Sequence, residues 1–441
     1  MTSQRLNRRR FLVSAGAGAA VAGLWQVVPR RVLGGPGQTP PSEALRYAVI
    51  GMGAHGGGNA GAYGRAGRNQ RRLIAVCDCD PVRLERARKE FGPMVQNHQG
   101  HELACYADFR DLLERTDIDV VHVGTPPHWH ALISIMAMQM GMDVMCAKPM
   151  TRFIGEARAM VETARQYGRV CLITSGCFGH KRESAAVARK LVAAGLLGEP
   201  LTGRLRLPFG SGRARALPKR IEPPPQSNPV YDMWCGPSPY TPWVGIVHFG
   251  FRTMWDYDGG RQADFCPHFT PTVLEILGKF GEDPIEFEGD GQWPPDPKIA
   301  HGWDHVAVRY GDGTKLILES SMWRAELPMG NFEIAGPKGR FWTTKEDHRS
   351  EPAEMIAEAA KLPDDPKRIS VDEAFRTRND KHAERPSAET QFRTTKILHL
   401  SNIALRTGRK IVWDPEKQTI VGDEQAASLL NMPVRAPWRL Y

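Results

Sequence analysis

Apolar and polar positions between residues 45 and 175 alternate in a way that predicts strands separated by helices. Short, nearly continuous apolar runs have the length and composition of buried strands; they lie at residues 45–51, 73–77, 119–124, 143–146 and 169–174. Amphipathic stretches between them predict helices at residues 81–91, 108–115, 129–140 and 154–167. This alternation predicts a parallel sheet with helices on both faces.

The pattern changes after a predicted helix at residues 184–194. Residues 217–245 are rich in proline, which indicates an ordered surface excursion or a lid. Period-two runs then predict a hairpin at residues 305–319 and a second strand pair within residues 331–343, with supporting helices at residues 272–280 and 388–406. We therefore expect an α/β protein: a doubly wound parallel sheet, followed by a domain with a large, open, mostly antiparallel sheet.

The first strand runs into a glycine motif at residues 51–56 (GMGAHG). In G-x-G-x-x-G, Gly51 makes the tight turn, Gly53 lets the backbone approach a pyrophosphate, and Gly56 lets the next helix pack on the strand. Ala54 and His55 stand at that helix N-terminus, where unpaired N–H groups favour phosphate. The motif follows a predicted strand, and this context predicts a dinucleotide site.

Asp78 ends the second predicted strand, where a carboxylate can accept hydrogen bonds from the adenosine ribose. An acid at this position favours NAD over NADP. Arg83 is a weak signal in the opposite direction, since a nearby arginine can accommodate a 2′-phosphate. We expect NAD as the cofactor and regard NADP as the less favoured alternative.

The net charge of +9 is concentrated at the N-terminus of this 441-residue chain. Six arginines precede the first acid, Glu43, and nine minus six leaves +3 for the remainder. No basic run with interleaved aromatic residues follows, so we expect no nucleic-acid partner. The eight cysteines are scattered and show neither a zinc spacing nor a disulfide framework. His128 with His130, and His301 with His305, lack a convincing third ligand, so no metal is expected.

Residues 1–37 have the features of an export signal and linker. The run at residues 8–12 (RRRFL) matches the twin-arginine pattern and precedes a mildly apolar, Ala- and Gly-rich stretch. A disordered basic tail or a membrane anchor is the alternative, but the stretch is short and poor in Leu and Ile for a stable membrane span. We expect the twin-arginine machinery to export a folded protein, to the periplasm or an equivalent compartment.

Four segments carry a resemblance to a known family; they lie at residues 124–131 (GTPPHWHA), 141–149 (GMDVMCAKP), 255–260 (WDYDGG) and 264–268 (DFCPH). In this order they resemble the glucose-fructose oxidoreductase / inositol dehydrogenase (Gfo/Idh/MocA) family over about residues 45–430. The resemblance implies a Rossmann domain at residues 45–175, a substrate and oligomerisation domain at residues 176–430 and a tail at residues 431–441. It also implies sugar or cyclitol substrates and a homo-oligomer.

The same resemblance assigns site residues. Lys148 matches the lysine of the family's E-K-P motif, and Asp264 and His268 match its D-x-x-x-H signature. Thr125 and His130 match residues near the nicotinamide, and Pro126 belongs to the same segment. The residues themselves agree in part, because Lys148 closes a strand at the carboxyl edge of a parallel sheet, where ligands of doubly wound folds bind. A surface lysine and a structural histidine remain the alternatives for Lys148 and His268.

Local sequence also suggests a role for His268. Thr270 and Pro271 resemble an N-cap and a first helical residue, so His268 would precede a helix N-terminus that disfavours the imidazolium. It would then be a proton acceptor, and Asp264 could orient it. Two positions depart from the family pattern: Ala147 replaces the usual acid before the lysine, and Pro271 replaces an acid after the histidine.

Three functions remain open on these grounds. The first is oxidation or reduction of a secondary hydroxyl or keto group of a sugar, cyclitol or glycoside, with Lys148, Asp264 and His268 as catalytic candidates. The second is transient use of a tightly bound NAD for glycoside cleavage, epimerisation or coupled sugar redox. The third, suggested by Ala147 and Pro271, is a non-catalytic sugar-binding protein.

Overall fold

The computed structural model describes parts of both predicted domains. It covers residues 43–66, 71–174, 182–207, 229–240, 250–292, 302–320, 330–364, 371–377 and 388–440. The predicted export signal and most of the proline-rich segment lie outside these ranges. Within them, no helix is both long and apolar enough to cross a membrane.

The first domain is built on a six-stranded parallel sheet. Its strands are β1 Leu45–Ile50, β2 Arg71–Cys77, β3 Ala104–Tyr106, β4 Val120–Val123, β5 Asp143–Ala147 and β6 Cys171–Thr174. They lie in the order β3-β2-β1-β4-β5-β6, and each neighbouring pair is parallel. Strands β2 and β3 are added on one side of β1, and β4, β5 and β6 on the other, so the order of the strands switches between β1 and β4. Ligands of such folds bind at this switch point, at the carboxyl ends of the strands. The predicted doubly wound sheet is confirmed.

Helices join these strands: α1 Ala54–Arg65, α2 Pro81–Gln99, α3 Phe109–Leu113, α4 His130–Gln139 and α5 Ile154–Gln166. The predicted end of α2 near residue 91 is wrong, because the helix continues through Pro93. Phe91 and Val95 are both buried on its inner face, so packing on either side of the proline maintains the helix. It ends at Gly100, which has a left-handed φ of 71°.

The second domain contains a nine-stranded sheet. Its strands are β7 Thr202–Arg206, β8 Glu286–Gln292, β9 Gly302–Arg309, β10 Lys315–Glu319, β11 Phe332–Gly336, β12 Gly339–Thr343, β13 His348–Glu351, β14 Ile411–Asp414 and β15 Thr419–Val421. The order is β13-β12-β11-β7-β10-β9-β8-β14-β15. β7 and β10 are parallel and the other neighbours are antiparallel. Both predicted hairpins, β9–β10 and β11–β12, are confirmed.

The described helices after β6 are α6 Arg182–Ala193, α7 Pro229–Cys235, α8 Trp255–Asp258, α9 Arg261–Phe265, α10 Thr270–Ile276, α11 Met355–Ala360, α12 Val371–Arg376, α13 Ala388–Thr407 and α14 Glu424–Ser428. The long α13 packs on β8 and on α5 of the first domain. The predicted N-cap is wrong: Phe269 precedes α10, and Thr270 is its first residue.

A buried arginine ties the segment after β5 to the second domain. Arg152 is 1% exposed and pairs with Glu156 on α5. It also donates to the hydroxyl of Ser238 at 2.5 Å and to the carbonyl of Asp256 at 2.7 Å. Because the guanidinium is buried, each bond is made away from competing water. These bonds of Arg152 therefore hold the segment that follows Lys148 in a defined position.

Candidate functional site

A cleft of about 1180 Å³, including its open mouth, lies at the carboxyl edge of the parallel sheet, between the two domains. Residues from both domains line it: Ile50, Gly51, Gly53, Ala54, His55, Cys77, Asp78, Cys79, Asp80, Arg83, Ala107, Phe109, Gly124, Thr125, Pro126, Pro127, Trp129, Ile133, Ala147, Lys148, Met233, Trp234, Phe251, Arg252 and Asp264.

The glycine loop leaves no room for side chains at two of its motif positions. Gly51 has a φ of 91°, and a Cβ there would lie 2.7 Å from the backbone nitrogen of Thr125. A Cβ on Gly56 would lie 1.8 Å from the carbonyl oxygen of Gly51. Gly56 therefore sits beneath the loop while Gly51, Gly53, Ala54 and His55 line the cleft. This close packing is what a phosphate-binding turn requires.

Asp78 holds the glycine loop as well as facing the cleft. Its Oδ2 accepts a 2.7 Å hydrogen bond from the backbone N–H of Met52, and its Oδ1 accepts one from that of Asp80 at 2.9 Å. Burial raises the pKa of this carboxyl above its usual value, although these two bonds act in the opposite direction. The acid expected to contact a ribose therefore also fixes the turn before α1.

Arg83 reaches the same end of the cleft from α2. A Cβ on Gly53 would lie 3.1 Å from Nη1 of Arg83, so the guanidinium borders the loop. Its Nε lies 3.6 Å from Oδ2 of Asp80. Asp78 and Arg83, the two residues that bear on the choice between NAD and NADP, therefore line the same end of the cleft.

Lys148 and Asp264 form an ion pair between the two domains. Nζ of Lys148 lies 2.7 Å from Oδ1 of Asp264 and also donates to its carbonyl oxygen at 2.6 Å. The side chains are only 10% and 5% exposed, respectively. Oδ2 of Asp264 accepts from Nε of Arg252 at 2.9 Å. Asp264, which we expected to orient His268, thus binds two cationic side chains at the cleft wall. These bonds fix the position of Lys148 although Ala147 replaces the usual glutamate before it.

His268 lies near this pair, in a short 3-10 turn at Cys266–His268 that follows α9. Its pKa is lowered to about 4, chiefly by burial and next by the charge of Lys148, while the charge of Asp264 opposes the shift. His55 is subject to the same influences, since burial and then the charges of Lys148 and Arg252 lower its pKa. The imidazole of His268 is therefore neutral at pH 7.

Thr125 and His130 occupy different layers of the wall. The Thr125 hydroxyl is buried and has no hydrogen-bond partner within the described part of the chain, so a ligand in the cleft can supply one. Pro126, next to it, also lines the cleft. His130 lies behind the wall, 1% exposed, with Nδ1 2.6 Å from the carbonyl oxygen of Pro149 and Nε2 2.8 Å from that of Thr125. Rather than facing the cleft, its ring lies between the Thr125 turn and the segment after Lys148, and its single N–H can donate to one of the two carbonyl oxygens.

Several lining residues carried little sequence signal. Met233, Trp234 and Phe251 belong to none of the motifs in the sequence. Their position depends on packing: the carbonyl oxygen of Trp234 accepts from Nε1 of Trp129 at 3.1 Å, which brings α7 to the end of β4. No local pattern encodes such a contact.

Comparison with known proteins then decides the family. Residues 45–175 match the model described as "Oxidoreductase family, NAD-binding Rossmann fold", and residues 183–440 match "Oxidoreductase family, C-terminal alpha/beta domain", both of the Gfo/Idh/MocA type. The chain belongs to the Gfo/Idh/MocA oxidoreductase family. The resemblance inferred from residues 124–131, 141–149, 255–260 and 264–268 is thereby confirmed.

Named family relatives match part of the chain. A "Glycosyl hydrolase family 109 protein" from Shewanella pealeana is 29% identical over 214 residues, which is 45% of this chain and 45% of that protein. A second, from Shewanella sp. strain ANA-3, is 32% identical over 170 residues, 37% of this chain and 35% of that protein. The matches therefore span less than half the length of these relatives.

Solved structures share the fold more completely. The WlbA dehydrogenase of Chromobacterium violaceum, in complex with NADH and UDP-GlcNAcA, has a TM-score of 0.57 at 19% identity and covers 85% of this chain and 97% of its own. The aldose-aldose oxidoreductase of Caulobacter crescentus, complexed with glycerol, has a TM-score of 0.54 at 18% identity, covering 84% and 99%. At this identity the likeness establishes the two-domain architecture.

Substitution of Gly56 tests whether the glycine loop binds a dinucleotide. Gly56→Ala places a methyl group against the Gly51 carbonyl and must displace the loop, so we expect the Kd for NADH to rise about tenfold or more. Gly58→Ala is the matched control, because a Cβ there meets no atom within 4 Å and alanine favours the helix. NADH fluorescence titration measures both; equal Kd values for the two variants would contradict the assignment.

Buried histidines predict a loss of stability in mild acid. Burial lowers the pKa of His122 to about 3 and that of His130 to about 4. In the unfolded chain such side chains take up protons below about pH 6.5. Protons therefore bind preferentially to the unfolded state as pH falls from about 6.5 to 4, and the free energy of unfolding decreases.

The difference between wild type and His122→Phe isolates one of these groups from the acids that titrate in the same range. We expect Tm to fall less steeply with pH in the variant, measured by calorimetry between pH 7 and pH 4. Identical slopes would show that His122 does not resist protonation in the folded protein.

Proposed function

We propose that this protein is an NAD-dependent oxidoreductase that oxidises or reduces a secondary hydroxyl or keto group of a sugar, cyclitol or glycoside. One observation carries the proposal: the Lys148–Asp264 pair, 2.7 Å apart, belongs to the same cleft as the glycine loop, and His268 lies within electrostatic reach of it. An acid-base group and a dinucleotide site so arranged are the two requirements of carbinol oxidation.

The side chains divide the work between proton transfer and charge stabilisation. His268 is neutral at pH 7 and takes the hydroxyl proton, but with a pKa of about 4 it is a weaker base than an ordinary histidine. Lys148 and Arg252, both held by Asp264, therefore stabilise the developing negative charge on the substrate oxygen. A bound nicotinamide ring supplies what these side chains lack, the capacity to accept a hydride from carbon and return it.

The residues that would hold the dinucleotide favour NAD. Asp78 keeps a carboxylate at the end of β2, where its charge opposes a 2′-phosphate. Arg83, beside Gly53, offers a compensating cation, so some NADP binding is expected. The Thr125 hydroxyl, which has no partner among the described residues, and the N–H groups at the start of α1 would complete the set.

A second candidate is transient use of a dinucleotide that stays bound, for glycoside cleavage, epimerisation or coupled sugar redox. The relatives called glycosyl hydrolases favour it, since oxidation of a ring carbon can weaken a glycosidic bond and later reduction restores the sugar. The same residues would serve both reactions. The candidates differ in whether NAD leaves after each turnover.

We propose, on the twin-arginine pattern at residues 8–12, that the protein is exported in folded form with its dinucleotide. Cell fractionation of the full chain tests this, with Arg8→Lys, Arg9→Lys, Arg10→Lys as the matched variant that keeps the charge. Wild type is expected outside the cytoplasm and the variant inside; equal distribution of the two would contradict export by this route. The homo-oligomer inferred from the resemblance stays a prediction.

The function itself is tested on native, full-length protein without added NAD. Mass spectrometry of the released ligand should identify NAD in preference to NADP. The protein is then incubated with aldoses, inositols and 4-nitrophenyl glycosides. A dehydrogenase yields about one equivalent of product per bound dinucleotide, whereas the transient mechanism continues to turn over.

Two variants link any activity to the site. Lys148→Met and His268→Gln should each lower turnover about 100-fold or more while NADH binding persists, and the exposed Lys361→Met should change neither. If sugar binding survives and both site variants leave every measured activity unchanged, the protein is a sugar-binding protein and the enzymatic proposals fail.

A further inference from the structure

The C-terminal tail, residues 431–440, lies beside the cleft and is hydrogen-bonded to α7, the helix that forms one of its walls. Arg435 donates from Nη1 to Oδ1 of Asp232 at 2.6 Å and from Nη2 to the carbonyl oxygen of Asp232 at 2.9 Å. Its Nε donates to the carbonyl oxygen of Gly236 at 2.9 Å. The backbone N–H of Arg435 donates to Pro237, also at 2.9 Å. Four hydrogen bonds thus join one tail residue to α7 and the turn after it.

Trp438 extends this contact to the first domain. Its ring lies 4.8 Å from that of Trp129, nearly perpendicular to it, and 6.1 Å from that of Phe109. The guanidinium of Arg110 stands 5.4 Å from the centre of the Trp438 ring. Since Trp129 and Phe109 both line the cleft, the tail packs directly behind two of its walls.

Helix α7, to which the tail is bonded, lines the cleft with Met233 and Trp234. The carbonyl oxygen of Trp234 accepts from Nε2 of His128 at 2.7 Å as well as from Trp129, and the Trp234 ring stacks on Tyr257 at 5.2 Å. A helix of seven residues is not stable on its own, so its position depends on such contacts. An arginine fork that binds three acceptors at once fixes position and orientation together.

We propose that the C-terminal tail is part of the dinucleotide site: Arg435 and Trp438 hold α7 against the cleft and thereby slow the release of the bound dinucleotide. This inference rests on the proposed function. Opening the cleft on the α7 side requires the Arg435 bonds to break or α7 to move together with the tail. A ligand retained in this way suits a reaction in which the cofactor is not exchanged at every turnover.

The experiment compares NADH dissociation from full-length variants, followed by stopped-flow fluorescence after displacement with excess NAD. Arg435→Ala should release NADH about tenfold faster or more, because the fork to α7 is lost. Arg439→Ala is the matched control: it removes an equal charge from an exposed position in the same tail and should leave the rate unchanged. Arg435→Lys, which keeps the charge but not the fork, should give an intermediate rate.

Trp438→Leu supplies an independent test if Arg435→Ala does not fold, and it too should speed release. Equal rates for Arg435→Ala and Arg439→Ala would overturn the inference and leave the proposed function standing. The inference would also be overturned if Arg435→Lys released NADH as fast as Arg435→Ala and lowered Tm by the same amount. Arg435 would then have only a structural role. If wild type binds neither NADH nor NADPH, both proposals fail together.

Discussion

The candidate site depends on one ion pair that crosses between domains. Lys148 is the first residue after β5, Asp264 belongs to α9, and 116 positions separate them in the chain. A buried pair is costly unless each charge finds good partners. Here the cost is offset, because the Lys148 ammonium also donates to the Asp264 backbone and the second carboxylate oxygen accepts from Arg252. The cleft consequently contains fixed charges that need not reorganise during a reaction.

The surrounding structure restricts how the pair can move. Arg152 anchors the chain just after Lys148 to Ser238 and Asp256, and the His130 ring is packed between the carbonyl oxygens of Pro149 and Thr125. On the other side, Gly51 and Gly56 bring the first turn against the end of β4. Each contact removes freedom from a segment that lines the cleft. The position of the lysine is therefore set by the second domain together with the layer behind the cleft wall.

The family and the fold leave the reaction open. Proteins of this architecture are named as dehydrogenases, as an aldose-aldose oxidoreductase and as glycosyl hydrolases, and a shared fold does not select among these activities. What distinguishes them physically is the fate of the dinucleotide between turnovers. In this chain, the proposed role of α7 and the C-terminal tail concerns that step.

The elements of this protein could be predicted from sequence because strand and helix periods come from backbone geometry and leave local patterns. Thus β1, β2 and the β9–β10 hairpin are where the pattern indicated, and the glycine motif marked the turn that faces the cleft. Only tertiary structure could decide which distant residues meet. His130, which the family resemblance places near the nicotinamide, lies buried between the carbonyl oxygens of Pro149 and Thr125, and Asp264 pairs with Lys148 and Arg252. Arg435 reaches Asp232 on α7 from 203 positions away. Such contacts follow from how two sheets and their helices pack in three dimensions, and no short stretch of sequence encodes that packing.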